Sequence, residues 1–372
     1  MMNLDDRQGK TDMAVTGREF EAHERTPFDG MISSDGHAVE PPDLWQERLP
    51  ARLKDRAPRV EYIDGEEHLI VIGEKRKILG VNLDLPLNYP ESLQPRTRAD
   101  ALAGQGVRTE VLYPQWTMML YGLQDEELQV AVLRAYNEWL ADFVNSEPER
   151  FVGVGLLPVH DVGAALEGLS HAKSLGLGGV AIPSAAKGIP YNNKQLDPLW
   201  DAVEASGLPL SIHVGGELVH MGRGAIGANV TRNLSPFRNL FPLFVFSGIL
   251  EKRPDLKLVL TEGGISWIAG TLYDMDMVYD RFKAYLRPSI EMRPSDIWRR
   301  QCFATFQDDP VGLQTLDWIG TENVLWAADY PHPEGTYPDT QVVLNRQFAA
   351  VPPEARQSIV CDNAVRLWGL AA

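Results

Sequence analysis

Positive charge is scarce in this chain, cysteine is scarcer, and long apolar runs are missing. Lys and Arg number 35 against 51 Asp and Glu, a net charge of −16. Nucleic acid and anionic membrane surfaces are bound through clustered positive charge, so neither partner is expected. Two cysteines, Cys302 and Cys361, make no disulfide framework and have no metal-ligand spacing. They suit a reducing compartment. No apolar stretch reaches the roughly 18 residues of a membrane-spanning helix. Residues 1–30 hold no apolar secretory segment, so a cytoplasmic location is expected. The first 27 residues are polar and carry no period, which predicts a flexible arm. The arm and the acidic surface permit a homodimer without requiring one. No Gly-rich phosphate loop follows the first apolar run, which argues against an open dinucleotide-binding sheet.

Short apolar runs alternating with helical patterns predict repeated βαβ units. Eight strands are read at 30–36, 109–115, 151–159, 178–184, 209–215, 257–263, 302–307 and 323–329. Helices are read between them. The clearest are 98–107, 125–147 and the stretches "VGAALEGLSHAKSLGL", "LDPLWDAVEASG" and "PLFVFSGILEKRP", each closing near Gly or Pro. Further helices are read at 265–287, 311–320, 339–349 and 353–369. Eight repeats with almost uninterrupted apolar strands predict a closed parallel (β/α)8 barrel of the TIM type over residues 28–372. Residues 45–96 break the repeat. There "RVEYIDGEEHLIVIGEKRKI" alternates as a β-hairpin does, with "DGEE" at its turn. It is read as an insertion after the first strand, a lid or wall for a substrate pocket.

Functional side chains of a barrel sit at the C-terminal ends of its strands. Strand one ends in Asp35 and His37, strand five in His213, strand six in Glu262 and strand eight in Asp329, with His332 just beyond. Residues two apart on a strand share a face, so Asp35 and His37 point the same way. A lone acid or histidine at a strand end usually caps a turn. Three carboxylates on one low-dielectric rim repel one another, and a divalent cation relieves that repulsion. Asp, Glu and neutral His are its usual ligands. Asp35, His37, His213, Glu262, Asp329 and His332 are therefore candidate metal ligands. Asp329, Glu262 and His332 are also candidate acid–base residues. Tyr113, Gln115, His160 and His220 are candidate pocket residues, and Glu40 is read as a local backbone tie.

Together "SSDGHAVEPPDLW", "SIHVGG", "LTEGGISW" and "DYPHPEG" resemble the amidohydrolase-related family typified by aminocarboxymuconate semialdehyde decarboxylase. The resemblance runs from about residue 30 to 370 and keeps the motif order. It implies a distorted (β/α)8 barrel whose metal is held by Asp35, His37, His213 and Asp329. Two departures stand out: Asp35 replaces the usual first-strand His or Glu, and Glu262 stands where a strand-six His is common. The bridging lysine of binuclear relatives has no counterpart at "VAIPS".

Two chemistries follow. The first is metal-assisted hydrolysis or decarboxylation of a small carboxylic acid or acyl compound. The second is a non-haem di-iron monooxygenase that uses dioxygen on an apolar substrate, since the donor set is rich in hard oxygen ligands. Residues alone leave one or two ions open, and zinc, manganese or iron, with iron if the site is binuclear.

Overall fold

The apolar runs pair as strands in the order in which they occur. The structure, a computed structural model, describes residues 28–63, 66–71, 74–77, 89–184, 188–215, 222–233 and 237–371. The expected arm, 1–27, and His220 lie outside the described residues. The strands are β1 (Met31–Ala38), β2 (Arg59–Ile63), β3 (Glu66–Val71), β4 (Glu74–Lys77), β5 (Val107–Pro114) and β6 (Phe151–Leu156). They continue as β7 (Gly179–Pro183), β8 (Leu210–His213), β9 (Leu258–Thr261), β10 (Cys302–Phe306) and β11 (Val324–Trp326). One sheet has the order β1-β5-β6-β7-β8-β9-β10-β11 with parallel pairing throughout. Its two edges meet where Gly36 bridges Tyr330, which closes the (β/α)8 barrel. Parallel strands are covered on both faces, and all eight are buried almost throughout, hence their lack of polar alternation.

The helices that connect them carry their own stop and start signals. Asp125 caps Glu126–Asn145 by accepting from the Leu128 N–H at 3.0 Å, and Asp161 caps Val162–Ser174 through Ala164 at 2.8 Å. Leu128, Val132, Tyr136, Leu140 and Val144 place one buried stripe of the first of these helices against β6. Asp197–Ser206 ends at Gly207, whose φ of 75° needs no Cβ penalty.

Three boundaries differ from the expectations. The helix read at 98–107 occupies Pro95–Ala103, because Pro95 suits a first helical turn. The helix read from Pro242 begins at Phe237, with Pro242 inside it at the cost of one backbone hydrogen bond. A helix at Ala225–Asn233 is additional to those expected. The insertion is a hairpin, as read, with a third strand added: β2 pairs β3 and β3 pairs β4, all antiparallel. Val60, Leu69 and Val71 share one face and are buried in the core, so the small sheet is anchored to the barrel by that apolar face. Among the described residues no helix is long and apolar enough to cross a membrane.

Candidate metal centre

Asp35 and His37 lie on β1, His213 ends β8, Glu262 follows β9, and Asp329 and His332 follow β11. The barrel brings all six to one rim. His37 Nε2 lies 3.2 Å from Asp329 Oδ1, 3.8 Å from Glu262 Oε1 and 3.9 Å from Asp35 Oδ1. His213 Nε2 is 3.5 Å from Asp35 Oδ1 and its Nδ1 3.5 Å from Glu262 Oε2. His332 Nδ1 is 3.4 Å from Glu262 Oε1 and 3.3 Å from Asp329 Oδ1. A tetrahedral ion with bonds of about 2.1 Å sets its ligand atoms about 3.4 Å apart; His37–Asp329, His213 Nε2–Asp35 and the two His332 separations lie at 3.2–3.5 Å, and the His37 separations from Glu262 and Asp35 are longer. Two donor groups emerge, His37–Glu262–Asp329–His332 and Asp35–His37–His213, and they share His37.

The donor atoms lack hydrogen-bond partners where a cation would want them free. Both Asp35 oxygens, His37 Nε2, His213 Nε2, Asp329 Oδ1 and His332 Nδ1 are buried without one. Leaving such atoms unpaired costs about 1–3 kcal/mol each, so a cluster of them marks a place for a missing charge. The other atom of most of these side chains is fixed. His37 Nδ1 faces the Pro114 carbonyl at 2.9 Å and His213 Nδ1 the Val214 carbonyl at 2.6 Å. A carbonyl only accepts, so each Nδ1 carries a proton, which leaves Nε2 as the nitrogen that can turn a lone pair to a cation. His332 donates from Nε2 to Gln115 Oε1 at 2.8 Å, and Gln307 Nε2 donates to Asp329 Oδ2 at 3.0 Å.

Electrostatics tell the same story. Burial pushes the Asp35 carboxyl up to about 6, against the opposing pull of His213. Burial alone would lower His213, but Glu262 and Asp35 raise it to about 9. His332 is likewise held well above its ordinary value by Asp329 and Glu262, despite its burial. Asp329 is drawn well below the usual carboxylate range, burial being overcome by His332 and His37. The carboxylates thus pull protons onto imidazoles, gathering the positive charge that a divalent cation would bring. Glu262 and Asp329 also have positive φ, 71° and 53°. Non-glycine residues pay about 1–3 kcal/mol there, and such strain gathers at working sites.

The remaining candidates fall outside the ring. Tyr113 is fully buried beneath it, its ring 4.7 Å from that of His213 and its hydroxyl 2.8 Å from Ser211 Oγ, so it forms a floor rather than a wall. Gln115 touches His332 and orients it. His160 belongs to neither donor group, and its Nδ1 is 2.7 Å from Gln129 Oε1. Glu40 accepts from the Gln115, Trp116 and Thr117 N–H groups at 3.1, 3.0 and 2.9 Å, which holds the loop that carries Gln115. Gln307 was not among the candidates, although it ends the strand-seven run "CFATFQ" as Gln115 ends "TEVLYPQ".

A barrel with two imidazoles and two carboxylates from its first, fifth and eighth strands, and more at its rim, defines a class of metal-dependent enzymes. A family model described as amidohydrolase matches residues 63–370, and the chain belongs to that family. It is 23% identical over 292 residues to a 2-amino-3-carboxymuconate-6-semialdehyde decarboxylase from Dictyostelium discoideum, covering 74% of this chain and 77% of the relative. A solved amidohydrolase from Mycobacterium avium subsp. paratuberculosis K-10 superposes with a TM-score of 0.78 at 17% identity, over 92% of this chain and 99% of that one. A dihydroxybenzoic acid decarboxylase from Polaromonas sp., solved with bound manganese, gives 0.61 at 18% identity over 92% and 97%.

Proposed function

We propose that the protein is a metal-dependent decarboxylase of a small unsaturated or aromatic carboxylic acid, with one divalent ion held by Asp35, His37, His213 and Asp329. The observation that carries this reading is the set of buried donor atoms that have no partner yet converge from three strand ends. Two of the comparisons are named as decarboxylases of carboxylic acids, which supports decarboxylation over hydrolysis. His37 belongs to both donor groups, and one nitrogen lone pair serves one ion, which favours a mononuclear site over the di-iron alternative.

A divalent cation at these donors supplies Lewis acidity toward the substrate's oxygens. The chain's own residues handle the proton. Loss of carbon dioxide breaks the carbon–carboxylate bond and leaves an electron pair on carbon, which must take one proton. Asp35 and Asp329 are wholly buried, whereas Glu262 keeps 8% exposure and sits at the substrate side. His332 holds the proton at rest and passes it across 3.4 Å to the Glu262 carboxylate, which hands it to the substrate carbon in this reading. Water returns the proton to His332. Gln115 and Gln307 keep His332 and Asp329 from turning away. The insertion β2–β4 would wall the pocket, with His160 on its strand-three side.

The test is carbon dioxide release from a panel of hydroxybenzoic and unsaturated dicarboxylic acids, by enzyme loaded with manganese or zinc and by chelated enzyme. Release that needs the metal supports the reading. Ester or amide hydrolysis without carbon dioxide release, or turnover that consumes dioxygen, overturns it.

A further inference from the structure

The barrel closes between β1 and the segment after β11, and this seam runs through the metal centre. Among the described residues it is held at the Gly36–Tyr330 bridge, where Asp329 N–H reaches the Asp35 carbonyl at 3.0 Å and His37 N–H the Tyr330 carbonyl at 2.8 Å, and by Ala328 N–H to Ser33 Oγ at 2.8 Å. Three of the four residues named as ligands, Asp35, His37 and Asp329, flank it on its two sides. Their separation therefore depends on how firmly the seam is held.

Arg98 lies behind the seam, fully buried. Its guanidinium donates from Nη1 to the His37 carbonyl at 2.9 Å and from Nη2 to the Tyr330 carbonyl at 2.8 Å, one carbonyl from each side. It also forks onto Glu110, Nε to Oε2 at 2.7 Å and Nη2 to Oε1 at 2.8 Å. The Tyr330 ring lies 4.7 Å from the same group. Glu110 fits only because residue 36 has no side chain: a Cβ there would stand 2.0 Å from Glu110 Oε1. That gives the middle residue of Asp35-Gly36-His37 its physical reason. Pair and glycine form one clasp, and neither charge touches the donor atoms.

We propose that Arg98 is a positioning residue for the metal centre: braced by Glu110, it ties the two sides of the barrel seam and so fixes the spacing of Asp35 and His37 against Asp329. The role rests on the metal-centre reading and adds to it a residue outside the ligand set. A buried ion pair placed only for stability would serve the barrel equally well anywhere. This one spends its remaining donors on carbonyls beside ligands. Lysine keeps the charge but offers three donors on one nitrogen, and cannot reach both carbonyls and both Glu110 oxygens.

The test compares manganese binding to wild type, Arg98→Lys and Glu110→Gln, by electron paramagnetic resonance of free and bound ion, with circular dichroism as the fold check. The control is Arg253→Lys, which alters a buried arginine that pairs with Asp197 and Asp201 away from the seam. Arg98→Lys is expected to weaken manganese binding roughly 10- to 100-fold, the range for lost outer-shell support, and to broaden the bound-ion spectrum. Glu110→Gln, which keeps shape and some bonding, is expected to give a smaller loss, and Arg253→Lys none. Folded Arg98→Lys with wild-type affinity and spectrum overturns the proposal. If Arg98→Lys does not fold, Glu110→Gln decides: unchanged affinity overturns the role and weakened affinity upholds it. Wild-type protein that binds no manganese or zinc removes the metal centre itself, and the clasp with it.

Discussion

His213 is the residue on which metal binding should hinge. It is the sole fifth-strand donor, its ring is fixed by the Val214 carbonyl and Tyr113, and its Nε2 has no partner. His213→Ala is expected to lose bound metal by more than the roughly 10- to 100-fold that an outer-shell loss costs. Circular dichroism should stay unchanged; retained metal would show that the ring of donors is not the ligand set. Glu262 is assigned a different task. Glu262→Gln removes the carboxylate that relays the proton and keeps the shape, so turnover should fall about 10²- to 10⁴-fold while metal content holds. Equal loss of metal and turnover would make Glu262 a ligand instead. Gln115 supports His332 alone, and Gln115→Leu is expected to lower kcat with little effect on metal content, measured on the same preparation.

Elements set how separable these effects are from stability. The helix Val162–Ser174 is capped by exposed Asp161, far from the ring in role. Asp161→Ala should cost about 1 kcal/mol in thermal or denaturant unfolding and leave metal content untouched. A change in metal affinity there would mean that fold and site are coupled more broadly than the seam alone. At this scale the chain was readable: eight strands, their order and most helices follow from apolar runs and caps. Pro242 misled because its missing N–H argues against a helix interior, and packing of Phe237, Phe241 and Phe244 overrode it. Asp35, His37, His213 and Asp329 could be named as candidates, and found on one rim, because ionisable residues at strand ends are few. Gln307 could not be, because nothing in the sequence shows that a strand-end amide bonds a carboxylate on the neighbouring strand. Arg98 and Glu110 left a signal that went unread: a charge inside an apolar strand, "TEVLYPQ", and another on a helix's buried face imply a partner.

For the whole molecule, protonation and metal binding compete. Without metal, His213 holds its proton up to about pH 9, and the Asp35 carboxyl holds one below about pH 6. Binding requires both groups deprotonated, so it must release protons. The sign follows: apparent affinity should rise with pH between 6 and 9 and flatten above 9. Below pH 6 it should fall more steeply, as Asp35 joins. Calorimetric titration of manganese at several pH values, in buffers of different ionisation enthalpy, reads both the slope and the proton count. Affinity independent of pH over that range would mean that His213 and Asp35 are not ligands.

The measurement that tests the central claim most directly is the metal content of the purified chain by elemental analysis, before and after reconstitution. One zinc or manganese ion per chain is expected, lost in His213→Ala. No retained metal, or two irons per chain with a spectrum that responds to dioxygen, would contradict it.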